Sequence, residues 1–236
     1  MIFSETLNSK FGTIRCICGI HEISGSGVYK QNLKCLLNCC VNGKKQGRFY
    51  FKVLFELTKK TKMFREELDQ DSGYSIVLFL VENVRNTPEL RKLVISGGLE
   101  CCIVKPSLIV NPFQVVVAAN KAVMSMGRGK MSTRNIYTEI LYNLSPTKQI
   151  SQSLIKFGID DKEDRILVCV LEKCGEKKAE KVLEKIQGDE CSIDQLNKFT
   201  DEMLVKKTYK ISDSECYSSN ILDSVVSRIS TKEVVV

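Results

Sequence analysis

The chain has 236 residues and a formal net charge of +7, enough length for one large domain or one ordinary domain with an extension. That charge belongs to one end: residues 1–62 carry eleven basic and three acidic side chains, whereas residues 63–236 carry 24 and 25. The larger part is therefore not a general polyanion binder, and its complete lack of histidine removes the usual general base and the commonest metal ligand.

Residues 1–62 mix glycine, lysine and cysteine without sustained period, apart from Phe49, Phe51, Val53 and Phe55, which alternate like a strand. This segment is expected to be a basic, cysteine-containing extension, either a mobile arm or an alternative start. Cys16, Cys18, Cys35, Cys39 and His21 invite a zinc reading, but gaps of one and three residues between paired cysteines do not suit a zinc knuckle. No metal site is expected there. No secretory signal is visible and no apolar run reaches the length of about 18 residues that spans a bilayer, so an intracellular chain without membrane partners is expected. Cys101, Cys102, Cys169 and Cys174 then read as free thiols in or near the core.

From Tyr74 to Val81 the sequence is short, apolar and β-branched, which predicts a strand buried on both faces. Thr87 is the predicted cap of a helix with Pro88 at its first position, Leu90, Leu93 and Val94 turned inward, and Gly97-Gly98 as its stop. A short apolar segment at Ile103-Val104 follows. Asn111-Pro112 then opens a deeply buried helix, because Phe113 to Ala119 contain one polar side chain, and the helix should end near Gly127. Ala118, Ala119 and Ala122 give it a narrow face on which another backbone can lie.

Thr133 is the predicted start of the next helix, with Ile136, Tyr137, Ile140, Leu141 and Leu144 on its stripe and Pro146 beyond its end. A shorter helix runs from Ile150 to Phe157 with Gly158 as its stop, and Arg165 to Leu171 is the second clear strand. Lys177 to Ile186 and Thr200 to Lys206 read as amphipathic helices. Ser214 to Ile229 reads as one closing helix with Ile221, Leu222, Val225, Val226 and Ile229 on a single stripe. These elements predict an α+β fold, a helix-rich single domain over residues 63–236 around a small, mainly antiparallel sheet.

Chemistry is sparse. Glu139, Asp160, Asp161 and Asp164 fall where a solvated helix face or loop is expected, so no catalytic site is indicated. Met126 to Ser132 resembles a phosphate-binding loop but lacks its first glycine and its closing serine or threonine, and it follows a helix instead of a strand. A glycine helix stop leading into a basic turn fits better. No acidic residue lies between Glu100 and Glu139, while Lys105, Lys121, Arg128, Lys130 and Arg134 supply five positive charges. Such a locally uncompensated field suits phosphate contact, and a merely solvated basic loop is the competing account.

Six blocks in series carry a resemblance: Asn111-Pro112-Phe113-Gln114, Ala118-Ala119-Asn120-Lys121-Ala122, Thr138-Glu139-Ile140, Asn143-Leu144-Ser145-Pro146, Lys156-Phe157-Gly158-Ile159 and Ser230-Thr231-Lys232-Glu233-Val234. Over about residues 68–236 the chain resembles the TPRKB family, the kinase-binding subunits of the EKC/KEOPS complex. The resemblance implies an α+β fold, a cytosolic and nuclear location, no cofactor and no catalytic residue of its own. It further implies docking on a PRPK-like atypical kinase subunit, indirect association with the other subunits, and support of tRNA engagement, including the acceptor end, for threonylcarbamoyladenosine formation beside the anticodon. Under that reading Lys121, Arg128, Lys130 and Arg134 are the candidates for tRNA contact, and Asn111, Phe113, Ile221 and Val225 for partner docking. The extension has no family counterpart, and the turn at Ser125 to Gly129 differs in detail from the typical member. An independent RNA-binding module without a complex role is the alternative; an enzyme would need convergent carboxylates or lysines that the sequence does not offer.

Overall fold

The computed structural model describes residues 62–234, so the expectations for the basic extension and its cysteines lie outside the described residues. The strand predicted from Tyr74 is the centre of the fold. It forms β2 (Tyr74–Glu82), flanked along one edge by β1 (Phe64–Glu67) and β5 (Asp189–Cys191) and along the other by β4 (Ile166–Lys173), beyond which lies β3 (Cys102–Val104). Every pairing is antiparallel, with Ile76 opposite Leu171, Leu78 opposite Cys169 and Cys102 opposite Cys169 in turn.

Because side chains alternate along a strand, an apolar run such as that of β2 requires cover on both faces. Ile76, Leu78 and Leu80, with Leu167, Cys169 and Leu171, meet a thick helical layer: α2 (Pro112–Gly127), α3 (Ile136–Leu144), α4 (Ile150–Phe157), α6 (Glu202–Tyr209) and α8 (Ile221–Thr231). Val77, Phe79 and Val81, with Ile166, Val168 and Val170, meet a thin layer of α1 (Thr87–Ile95) and α5 (Lys178–Leu183). Fully burying side chains of this size contributes about 1.5–3 kcal/mol each. The predicted α+β class with an antiparallel sheet is thus observed.

α2 forms as its sequence predicts. Asn111 Oδ1 accepts the Phe113 amide at 2.9 Å, Pro112 occupies the first turn where no donor is needed, and Gln114, Val115, Val116, Ala118, Ala119, Ala122 and Val123 are buried. The small face at Ala118, Ala119 and Ala122 receives α3, whose Asn143 donates to the Ala118 carbonyl at 3.2 Å.

Several boundaries differ from the sequence expectation, each for a local reason. Thr87 does not cap α1; its hydroxyl donates to the Glu163 carbonyl at 2.7 Å, and Asn86 takes the cap position. With only nine residues α1 turns Leu90 and Val94 to the sheet and leaves Leu93 exposed. α3 begins after Asn135, whose side chain accepts the Tyr137 amide, and not at Thr133. α5 is shorter than the predicted Lys177 to Ile186, and α6 runs later than the predicted Thr200 to Lys206, capped by Asp201 and closed by Lys210 in the left-handed conformation (φ 53°). The single closing helix is two: α7 (Asp213–Ser218) stops at an extended Ser219, and the Asn220 side chain caps α8 anew. Cys101, Cys102 and Cys169 are buried free thiols as expected, but Cys174 is exposed on the turn after β4.

The outer edge of β3 does not remain open. Lys105 donates its amide to the Phe157 carbonyl at 2.9 Å and Val104 bridges Gly158, so the end of α4 continues the sheet margin. Gly158 fits because it has no Cβ, which would stand 2.5 Å from the Leu154 carbonyl oxygen. Gly158→Ala is expected to cost about 1–3 kcal/mol through forced backbone displacement, measurable as a lowered urea midpoint at unchanged slope.

Candidate nucleic-acid interface and docking faces

The basic turn between α2 and α3 is built from both ends. α2 stops at Gly127, Gly129 adopts the left-handed conformation (φ 64°), its amide reaches the Met126 carbonyl at 3.0 Å, and the Lys130 amide reaches the Ser125 carbonyl at 2.9 Å. This is a Schellman ending, in which a glycine satisfies carbonyls that would otherwise lack donors. At the other end Glu139 of α3 turns back under the turn. Its carboxylate accepts the Ser132 amide at 3.1 Å, the Thr133 amide at 2.7 Å and the Thr133 hydroxyl at 2.7 Å. Glu139 is 2% exposed, which overturns the expectation of a solvated helix face.

Between these anchors Arg128, Lys130 and Arg134 are exposed, and none of the three forms a salt bridge with another described residue. The structure therefore brings three of the four expected tRNA-contact residues into one turn. It separates the fourth: Lys121 Nζ donates to the Ile229 carbonyl at 2.6 Å and to the Glu233 carboxylate at 2.6 Å, closing the C-terminal end of α8, where a cation meets the negative end of the helix dipole. Lys105 is likewise engaged, with Asp160 at 2.8 Å, and that contact holds the Asp160 carboxyl below its ordinary range.

The expected docking residues also divide. Phe113 is 51% exposed at the start of α2, with Asn111 beside it, although the Asn111 side chain is committed to its cap. Ile221 is half-buried against the core. Val225 is fully buried where α8 packs on α2, so it corrects the expectation: it supports its own core and is not reachable by a partner. Apolar exposure that the sequence did not mark lies at Ile95, Ile155, Met203 and Tyr217. Neither period nor spacing distinguishes these positions from core ones.

Lys232 was also not legible. It is 4% exposed, its ammonium lies 3.2 Å above the Tyr142 ring centre and donates to the Tyr142 carbonyl, and burial pulls its pKa down to about 8. Among the described residues, groups suited to catalysis do not converge. The acidic loop side chains are spent on surface pairs, Arg91 with Asp161 at 3.1 Å among them, and a shallow groove by the start of α3 has its charges matched by Glu100 and Lys178 at 3.0 Å. No cluster of three or more His, Cys, Asp or Glu side chains that could hold a metal occurs among the described residues, and no helix among them is long and apolar enough to cross a membrane.

The described residues thus form an antiparallel sheet covered on one face by two helices and on the other by a thick helical layer, with an exposed basic turn between α2 and α3. A family model described as kinase binding protein CGI-121 matches residues 81–233, and the chain belongs to that family. Among its relatives is the EKC/KEOPS complex subunit TPRKB of Danio rerio, 36% identical over 179 residues that cover 75% of this chain and 98% of the relative. The EKC/KEOPS complex subunits cgi121 of Schizosaccharomyces pombe and CGI121 of Yarrowia lipolytica are 27% and 28% identical, covering 66% and 58% of this chain and 91% and 79% of their own lengths.

Proposed function

We propose that this protein is a non-catalytic subunit of an EKC/KEOPS assembly in the cytosol and nucleus, docking on its PRPK-like atypical kinase and supporting tRNA engagement for threonylcarbamoyladenosine modification. The membership in a kinase-binding family, with nearly the whole length of the Danio rerio subunit matched, carries this reading. The transfer chemistry belongs to another subunit. Phe113, with the exposed apolar side chains of α4 and α6, offers the contact area for the kinase; the turn at Arg128, Lys130 and Arg134 offers phosphate contacts.

Co-expression of the full chain with the kinase subunit tests the first part: a stable stoichiometric pair is expected, and absence of a pair at both low and moderate salt overturns it. For the second part, Lys130→Ala with Arg134→Ala is expected to weaken tRNA binding about tenfold and to flatten the dependence of log affinity on log salt by about 1.5, two phosphate contacts being lost. Filter binding across a salt series reads both. Binding of tRNA with no kinase pairing would favour the independent RNA module.

A further inference from the structure

We propose that Glu139 is the positioning residue of the basic turn: its buried carboxylate sets the backbone at Ser132 and Thr133 so that Arg134 stands preset for nucleic-acid phosphates beside Arg128 and Lys130, which the end of α2 holds. This rests on the tRNA contact proposed above. A carboxylate beside a surface meant for a polyanion is electrostatically unfavourable, so its presence there calls for a compensating role. The geometry supplies one. Glu139 makes no salt bridge with the three cations among the described residues, yet three donors of the turn converge on it, at 3.1, 2.7 and 2.7 Å. Thr133 passes the restraint onward, its single hydroxyl hydrogen shared between the Glu139 carboxylate at 2.7 Å and the Asn135 carbonyl at 3.0 Å, next to Arg134.

The far side of the turn is already fixed by the Gly129 ending of α2. Glu139 thus closes the only stretch between the two helices that neither helix end holds by itself. Without it, residues 131–134 would have to be ordered on each binding event, and that entropic cost would be drawn from affinity. Positioning and plain electrostatics predict opposite signs for removal of this charge. Neutralising Glu139 adds one net positive charge and by field alone would tighten binding to RNA.

The test is the affinity of the full chain for a tRNA transcript at about 50–100 mM salt, with Glu139→Gln, Thr133→Val and the Lys130→Ala/Arg134→Ala pair measured beside the wild type. The expected result is a three- to tenfold loss for Glu139→Gln at an unchanged salt slope, together with faster hydrogen exchange at the Ser132 and Thr133 amides. Thr133→Val leaves the charge untouched and is expected to lose affinity in the same direction by a smaller factor; it decides the matter if Glu139→Gln does not fold. Equal or tighter binding by Glu139→Gln, or by Thr133→Val in that event, overturns the positioning role while the basic turn stands. Wild-type affinity in the Lys130/Arg134 pair, or no binding by the wild type, overturns the basic-turn reading and the positioning role with it.

Discussion

Replacing Gln114 by alanine is expected to remove about 3–4 kcal/mol of stability. The side chain is fully buried, donates to the Leu108 carbonyl at 3.1 Å and to the Tyr209 hydroxyl at 2.9 Å, and accepts the Val110 amide at 3.0 Å. Tyr209 in turn donates to the Leu144 carbonyl at 2.6 Å and packs edge-on against Phe157. One amide thereby joins the segment before α2 to α6, and through the tyrosine to the end of α3. Its loss strands a backbone donor and acceptor out of reach of water and opens a cavity, and unsatisfied groups of this kind cost about 1–3 kcal/mol each. Tyr209→Phe removes one hydroxyl and is expected to cost about 1–2 kcal/mol, with a coupling to Gln114→Ala on the order of 1 kcal/mol in a double-mutant cycle. Urea unfolding of the four proteins reads these values; a loss below about 1 kcal/mol for Gln114→Ala would show that the three bonds are replaced in the variant.

Lys232→Met is expected to change the alkaline stability profile more than the stability at neutral pH. Burial lowers the folded-state pKa of Lys232 from 10.5 to about 8, so the charged form is disfavoured in the fold by about 3 kcal/mol. Between these two values the unfolded chain holds a proton that the folded chain has released, and stability therefore rises with pH in that window. The buried thiols act in the opposite sense. Burial pushes Cys101 up to about 12 and Cys102 and Cys169 well above 9.0, so the unfolded chain loses these protons first and stability falls as pH passes 9. In the wild type the two contributions oppose each other from pH 7 to 9. In Lys232→Met only the falling contribution remains, a loss of about 1 kcal/mol over the same interval relative to wild type. At pH 7 the methionine variant is expected within about 1 kcal/mol of wild type, since an apolar side chain of similar volume relieves the desolvation cost while the Tyr142 carbonyl loses one donor and keeps the Ser145 amide. Parallel profiles for the two proteins would mean that the Lys232 ammonium is not desolvated.

What sequence made legible follows from how local each signal is. β2 and α2 were clear because a long apolar run or a cap with proline is dictated within a few residues of chain. β1 and β5 were not: Phe-Arg-Glu-Glu and Asp-Glu-Cys have no strand pattern of their own and become strands only because β2 presents a long ladder to pair with. The division of the closing helix turned on Asn220, a cap inside a continuous apolar stripe. At the basic turn the charges were visible against an absence of acidic residues, and Arg128, Lys130 and Arg134 do lie together in one turn. The burial of Glu139 and Lys232, the withdrawal of Lys121 to α8 and that of Val225 into the core arise from contacts 6 to 112 residues away in the chain, and no local pattern encodes them.

The margins of the sheet bear on how the protein behaves at high concentration. A β-edge is a template on which further extended chains can add, and here the margins at β3 and at β1 are guarded. On one side the junction of α4 with Gly158 occupies the β3 edge; on the other the four residues of β1 include Arg65, Glu66 and Glu67, and Arg65 is held by the buried carboxylate of Glu172, which also takes the Ala179 amide at 2.7 Å. Gly158→Ala should therefore do more than destabilise: by loosening that junction it would expose a three-residue apolar edge, and its partly unfolded form would be the variant most prone to aggregate on storage.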